Sequence, residues 1–294
     1  MFHLFLSILL NAYIGIVFAY FKKYEIDIFQ AIVFNYGVCV ITGSVVLGHF
    51  PINVSILQEP YMKWALLMGG LFISVFSLIG FSSGKVGITI TQTANKLSLA
   101  IPVIFSFLLY GEQITIIKII GILLALLAVI LVSWKPSEGS DKRRPAWEYA
   151  IPVILFISSG IIDTLTKYVQ QTFLTEEAVS NIYLISSFLT AFSIGMIVLL
   201  FLYIQKKKVF SLKFLLAGII LGIPNYFSIY YLVKALQSGI LSSSAVIPIN
   251  NIGVLFVVSL FGIFVFREKL SRSNYAGLAL TLVAILLIFF GDKI

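Results

Sequence analysis

Ile114 to Trp134 reads ITIIKIIGILLALLAVILVSW, and Lys118 is its one charged residue. An α-helix rises about 1.5 Å per residue, so a stretch this long crosses the roughly 30 Å hydrocarbon core of a bilayer. A second stretch of the same kind lies at an offset of 156, because Glu112 and Gly121 recur as Glu268 and Gly277. Leu124, Leu126, Ala128 and Leu131 likewise have identical partners in Leu280, Leu282, Ala284 and Leu287. Leucines coincide by chance in such segments, so the Glu and Gly spacing carries the internal repeat.

Outward from this pair the chain resolves into similar segments. Before Ile114 lie Phe2 to Phe21, Phe29 to Phe50, Trp64 to Ser83 and Val86 to Tyr110. After Trp134 come Tyr149 to Tyr168, Val179 to Ile204, Phe214 to Val233, Ile240 to Phe266 and Asn274 to Gly291. Between the two sets runs the longest polar stretch, rich in Pro, Gly, Ser and charge, which reads as a linker. The chain is 60% hydrophobic and only 11% charged, against roughly 25% charged for a soluble domain.

The expected fold is therefore an all-α polytopic membrane protein of ten transmembrane helices in two inverted five-helix repeats. The first repeat is residues 1–134, the polar linker 135–148 and the second repeat 149–294. An odd number of spans per repeat turns the second copy upside down, an arrangement common in secondary transporters.

The first segment lacks a basic start and runs into Lys22 and Lys23, so it reads as a retained span rather than a cleaved leader. Cys39 is the single cysteine, and no internal disulfide can form. The net charge of +8 comes from short basic groups such as Lys206 to Lys208, the usual flanks of spans, so it does not point to nucleic acid. Most lysines and arginines fall on odd-numbered connections, among them Lys22, Lys23, Arg143, Arg144 and Lys206. The positive-inside rule then places the linker inside and both termini outside.

The run Gly111, Glu112, Gln113, Ile114, Thr115, with Lys118 and Gly121, resembles the end of an EamA repeat of the drug/metabolite transporter superfamily. Arg267, Glu268, Lys269, Leu270 and Gly277 resemble its second copy, and Tyr230 to Leu236 the link between a repeat's third and fourth helices. Pro102 fits the same pattern; Pro248 does not, since the family spacing puts proline at the position of Val258. The resemblance covers nearly the whole chain and implies a transporter without naming its cargo. It also implies cytoplasmic termini, opposite to the charge bias.

Three charged residues lie inside apolar segments: Lys96 at the middle of the fourth, with Lys118 and Asp163 nearer span ends. A charge at the centre of a span costs about 2.5–3.5 kcal/mol on insertion scales and usually faces a polar interior. At helical spacing Thr89, Thr93 and Lys96 share a face, with Gln92 and Asn95 beside it. The corresponding helix of the second half holds Ser242, Ser243, Ser244, Asn250 and Asn251, and Asn251 matches Asn95 at the offset of 156. Asn225 and Tyr226, in the aromatic eighth helix, complete the candidate solute-binding set. These side chains would otherwise serve as ordinary interhelical hydrogen-bonding groups.

Pro102 and Pro248 release the carbonyls of Ser98 and Ser244, with kinking as the simpler consequence. Asp163 has Lys167 one turn on, which favours a local salt bridge over a coupling role; its other candidate partner is Lys96. Glu112 and Glu268 precede the last helix of each repeat, where a carboxylate is expected to cap that helix. His3 and His49 are isolated, no cluster has metal-ligand spacing, and no nucleophile has its base. No cofactor and no enzymatic activity are expected, and no P-loop suggests ATP drive.

The expected function is a secondary transporter that moves a small metabolite across the plasma membrane by alternating access about a midplane site, with export and import both open. Its partners are a small-molecule solute and the lipid bilayer. The rivals are a channel or lipid scramblase and, with less support, an intramembrane enzyme. Nucleotide-sugar carriers of the same superfamily bear a lysine on the fourth helix in a similar run, so the resemblance also directs attention to Lys96.

Overall fold

The computed structural model describes residues 1–53, 56–110, 115–133, 146–174, 177–238 and 243–291. Regular structure among them is helical throughout: α1 (Phe2–Lys23), α2 (Ile28–Leu47), α3 (Met62–Lys85), α4 (Ile88–Leu97), α5 (Ala100–Tyr110), α6 (Ile116–Ser133), α7 (Ala146–Phe173), α8 (Glu177–Ile204), α9 (Leu212–Gln237), α10 (Ser243–Phe264) and α11 (Arg272–Phe290), with one short 3₁₀ turn at Ile56–Gln58. Glu112 and most of the linker lie outside the described residues, and α7 starts at Ala146, three residues ahead of the expected boundary.

Seven of these helices are long and apolar enough to cross a bilayer: α1, α2, α3, α7, α8, α9 and α11. In α6 and α10 the apolar cores are shorter, Ile116–Leu131 and Ile249–Phe264. Large apolar side chains stand exposed along the helices, Ile116 at 75%, Val45 at 74% and Ile197 at 68% among them. Surfaces of this kind are stable only where lipid replaces water. The chain is thus a multi-pass, all-α membrane protein.

Local chemistry sets the helix ends. Asp27 caps α2, its carboxylate accepting from the Gln30 N–H at 3.0 Å. Gly48 closes the same helix at φ +86°, a left-handed conformation that glycine adopts without steric cost. Thr115 caps α6 through the Lys118 N–H at 3.3 Å, and Ser271 caps α11 through the Asn274 N–H at 3.2 Å. Ser271 and Asn274 also answer each other in a capping box.

The chain divides into two compact units. Unit 2 comprises Tyr20–Ser77 and Leu165–Phe227. Here α2 packs along α8, and Gly218 and Gly222 of α9 admit the backbone of α2 so closely that a Cβ at Gly222 would lie 2.7 Å from the Asn35 carbonyl oxygen. One end is tied by the Lys208–Asp27 ion pair and by Tyr203 donating to Gln30 at 2.5 Å.

Unit 1 comprises Met1–Ala19, Leu78–Thr164 and Ser228–Ile294. Its most extensive contact joins α6 and α11, followed by α4 with α10. The first pair is antiparallel: Thr115 donates to the Gly291 carbonyl at 3.1 Å, while at the other end Asn274 donates to the Leu131 carbonyl at 3.4 Å. Gly121 makes the approach possible, since a Cβ there would lie 3.1 Å from the Ile288 backbone nitrogen.

The fourth apolar segment, expected as one helix, is two. α4 ends at Leu97 and α5 begins at Ala100. Pro102 has no N–H to return to the Ser98 carbonyl, which instead accepts from Ile101 at 2.9 Å in a tighter turn. The released carbonyl thus keeps a backbone donor at the break. The backbone of α10 runs through position 248 without a break, so the two halves differ where the proline spacing differs.

Candidate solute-binding site

The polar residues of α4 differ in burial along the helix. Thr89, Gln92 and Thr93 are buried, whereas Asn95 and Lys96 are half-buried at the C-terminal end of the helix. Thr93 spends its hydroxyl on the Thr89 carbonyl at 2.7 Å. Gln92 accepts from Asn95 Nδ2 at 3.5 Å and lies against α1, where a Cβ at Gly15 would stand 2.9 Å from Gln92 Nε2. Lys96 occupies the last turn of α4, where the negative end of the helix dipole favours a cation. Among the described residues its ammonium makes no hydrogen bond and no closed ion pair.

Asp163 of α7 supplies the opposite charge. The charges of Lys96 and Asp163 act on each other, and Asp163 Oδ2 stands 2.9 Å from the Ser98 hydroxyl at the α4–α5 break. Ser98 also faces the Asn95 carbonyl at 2.6 Å, and its single proton serves one acceptor at a time. Ser98 and Lys96 thus join Lys167 among the groups that can engage this carboxylate.

Across unit 1, Ser7 of α1 stands 3.1 Å from Asn250 Oδ1 and 2.9 Å from the Ser228 carbonyl, which ties α1, α9 and α10 together. Asn250 is thus engaged in packing, while Asn251, 8% exposed, makes no hydrogen bond among the described residues. The side chains at 242–245 lie outside the described set. Asn225 and Tyr226 belong to unit 2. There Asn225 donates to Asn35 Oδ1 at 3.3 Å, and Tyr226 is buried against Gly43 of α2. Unit 1 therefore gathers Gln92, Thr93, Asn95, Lys96, Asn250 and Asn251, and not Asn225 or Tyr226. Ser7 and the hydroxyl of Ser98, read in the sequence only for its carbonyl, went unread, since each is one small group in an apolar run.

The expectation for Glu268 is corrected. Its carboxylate caps α4, not α11: Oε1 accepts from the Ile88 N–H at 2.6 Å and Oε2 from the Thr89 N–H at 3.3 Å. Gly87, at φ +104°, leaves room for it. Ser271 has already satisfied the start of α11, so the carboxylate is free to serve a helix remote in sequence.

No family model matches the chain. A protein of Haemophilus influenzae (strain ATCC 51907 / DSM 11121 / KW20 / Rd), described as an uncharacterized protein, is 30% identical over 300 residues, an alignment spanning all of this chain and 99% of that one. The chain belongs to that protein's family. A solved structure described only as the crystal structure of a protein superposes with a TM-score of 0.62 at 16% identity, covering 97% of this chain and 94% of that one. At that identity the likeness concerns the fold alone, and it extends over essentially the whole helical assembly.

Proposed function

We propose that this family member is an EamA-type secondary transporter of the drug/metabolite transporter superfamily, carrying a small solute across the plasma membrane by alternating access. The observation that carries the reading is Lys96: an ammonium half-way along an apolar segment, at a helix break, with no hydrogen bond or closed ion pair among the described residues. Such a group is costly in a membrane unless it faces a polar interior and serves a solute or ion path. Broken helices near the midplane are where transporters of inverted-repeat design place their sites.

Support for ten spans in two inverted repeats comes from which helices pair. The leading contacts join α2 with α8, α4 with α10 and α6 with α11, which are the second, fourth and fifth segments of each half. The caps Thr115 and Ser271 are counterparts at the offset of 156, as are Lys118 and Asn274, and each of the latter reaches the far end of the opposite helix. Ala125 and its counterpart Thr281 fall near the middle of the antiparallel pair, both fully buried. A two-fold axis at that point converts each helix into the other.

Two measurements test the proposal. Ile116→Cys and Arg272→Cys, in a Cys39→Ala background, place thiols at the first residues of α6 and α11. An impermeant maleimide is expected to reach them from opposite sides of the membrane, and labelling from the same side would sink the inverted repeat. In proteoliposomes, a screen of small metabolites is expected to return saturable, inhibitable flux. Flux linear in concentration identifies a channel, and lipid flip without solute flux a scramblase.

A further inference from the structure

We infer that Asp163 is a proton-binding site coupled to solute binding at Lys96: an anionic group that settles on the ammonium takes away the carboxylate's counter-charge, and Asp163 then takes up one proton. The inference rests on the reading of Lys96 as a solute-binding residue and adds the ion that travels with the solute. Two features of the geometry carry it. Asp163 is polarised by Lys96 without being locked to it, since the two form no closed ion pair, and that leaves the ammonium open to a competing anion. Its one hydrogen bond on this face comes from the Ser98 hydroxyl, which has the Asn95 carbonyl as an alternative acceptor when the carboxyl is neutral.

The surroundings hold few rivals for this role. From the α4–α5 break Ser98 reaches Asp163 at 2.9 Å, and Lys96, two residues earlier on α4, acts on it electrostatically. α5 presents Ile101, packed on Gly160 one turn before Asp163, and the α6 residues clustered with Phe156 are apolar. On α7 itself Lys167 follows one turn later. The balance is simple. No covalent bond changes; one anionic charge arrives at Lys96 and one proton at Asp163, so the solute and its proton enter the site together.

A hydrophobic carbodiimide, which modifies protonated intramembrane carboxyls, reads this without needing the cargo. Purified protein in lipid nanodiscs is treated across pH 5 to 9, and modification of Asp163 is followed by peptide mass spectrometry with Asp163→Asn as background. Removing an opposite charge favours the neutral carboxyl, so Lys96→Gln is expected to raise the Asp163 labelling rate at neutral pH about tenfold or more. Lys96→Arg should keep the parental profile, and inorganic phosphate at high concentration should raise labelling in the parental protein only. Equal labelling of the parent and Lys96→Gln overturns the coupling. If Lys96→Gln does not fold, the phosphate arm decides, and a parental profile indifferent to phosphate overturns it as well. Labelling that behaves as expected in a protein that carries no solute in the flux screen refutes the transport reading and leaves the proton site standing.

Discussion

Lys96→Gln is expected to fold and insert normally yet to lose transport by about ten- to a hundredfold. The size follows from the interaction removed. A hydrogen bond to a charged group contributes about 1.5–3 kcal/mol, and each 1.4 kcal/mol is a factor of ten in affinity. Glutamine retains length and polarity, so the helix and its packing survive while the charge does not. The reason to expect little loss of stability is that no closed ion pair with Lys96 exists among the described residues, and a mid-span charge is costly to keep. Lys96→Met, which discards the polarity too, should transport no better. The structural alternative makes a different forecast, in which Lys96→Gln misfolds because Asp163 is stranded, and Asp163→Asn restores folding. Flux, expression and thermal unfolding of the two single variants and the double variant separate these cases. Parental rate and affinity in a folded Lys96→Gln would end the binding role.

Elements whose solvent is lipid were readable because the bilayer imposes one rule on all of them. About 20 apolar residues must run together, and the segment Trp64 to Ser83 duly sits inside α3 (Met62–Lys85). The same run of apolar residues around each charge made Asp163 a candidate partner for Lys96 in the sequence, and its contact with Ser98 places it at the same helix break. Partnerships across the bundle were not readable. The Glu268 carboxylate finds its N–H donors 180 and 179 residues away in sequence, whereas local reasoning assigned it to the helix four residues on. The signal against that assignment was present: Ser271 with Asn274 is a serine and an amide at capping-box spacing, sufficient for α11 without Glu268. Asn225 and Tyr226 were chosen as polar and aromatic groups in an apolar segment, a criterion that cannot tell a cavity wall from a helix contact. The structure packs both against α2.

Glu268→Ala is expected to lower stability by about 2 kcal/mol or more and to impair transport with it. The carboxylate accepts two backbone N–H groups at the start of α4, those of Ile88 and Thr89, in a partly buried setting. Losing a cap costs about 0.5–2 kcal/mol, and each buried donor left without an acceptor adds about 1–3 kcal/mol. Glu268→Gln keeps one acceptor oxygen but neither the charge nor the second oxygen, so its loss should be intermediate. Gly87→Ala tests the same contact from the other side. A Cβ there would lie 2.5 Å from Glu268 Oε1, and the residue is held at φ +104°, which alanine adopts only with strain. Its melting temperature in detergent should therefore fall toward that of Glu268→Ala. Combining the two changes should cost less than their sum, because both remove one interaction. The functional consequence follows from what α4 carries. Its first turn is fixed by Glu268 and its last turn holds Lys96, so a frayed start lets the ammonium wander from Asp163. Strict additivity of the two substitutions, or parental stability in Glu268→Ala, would show that α4 does not depend on this cap.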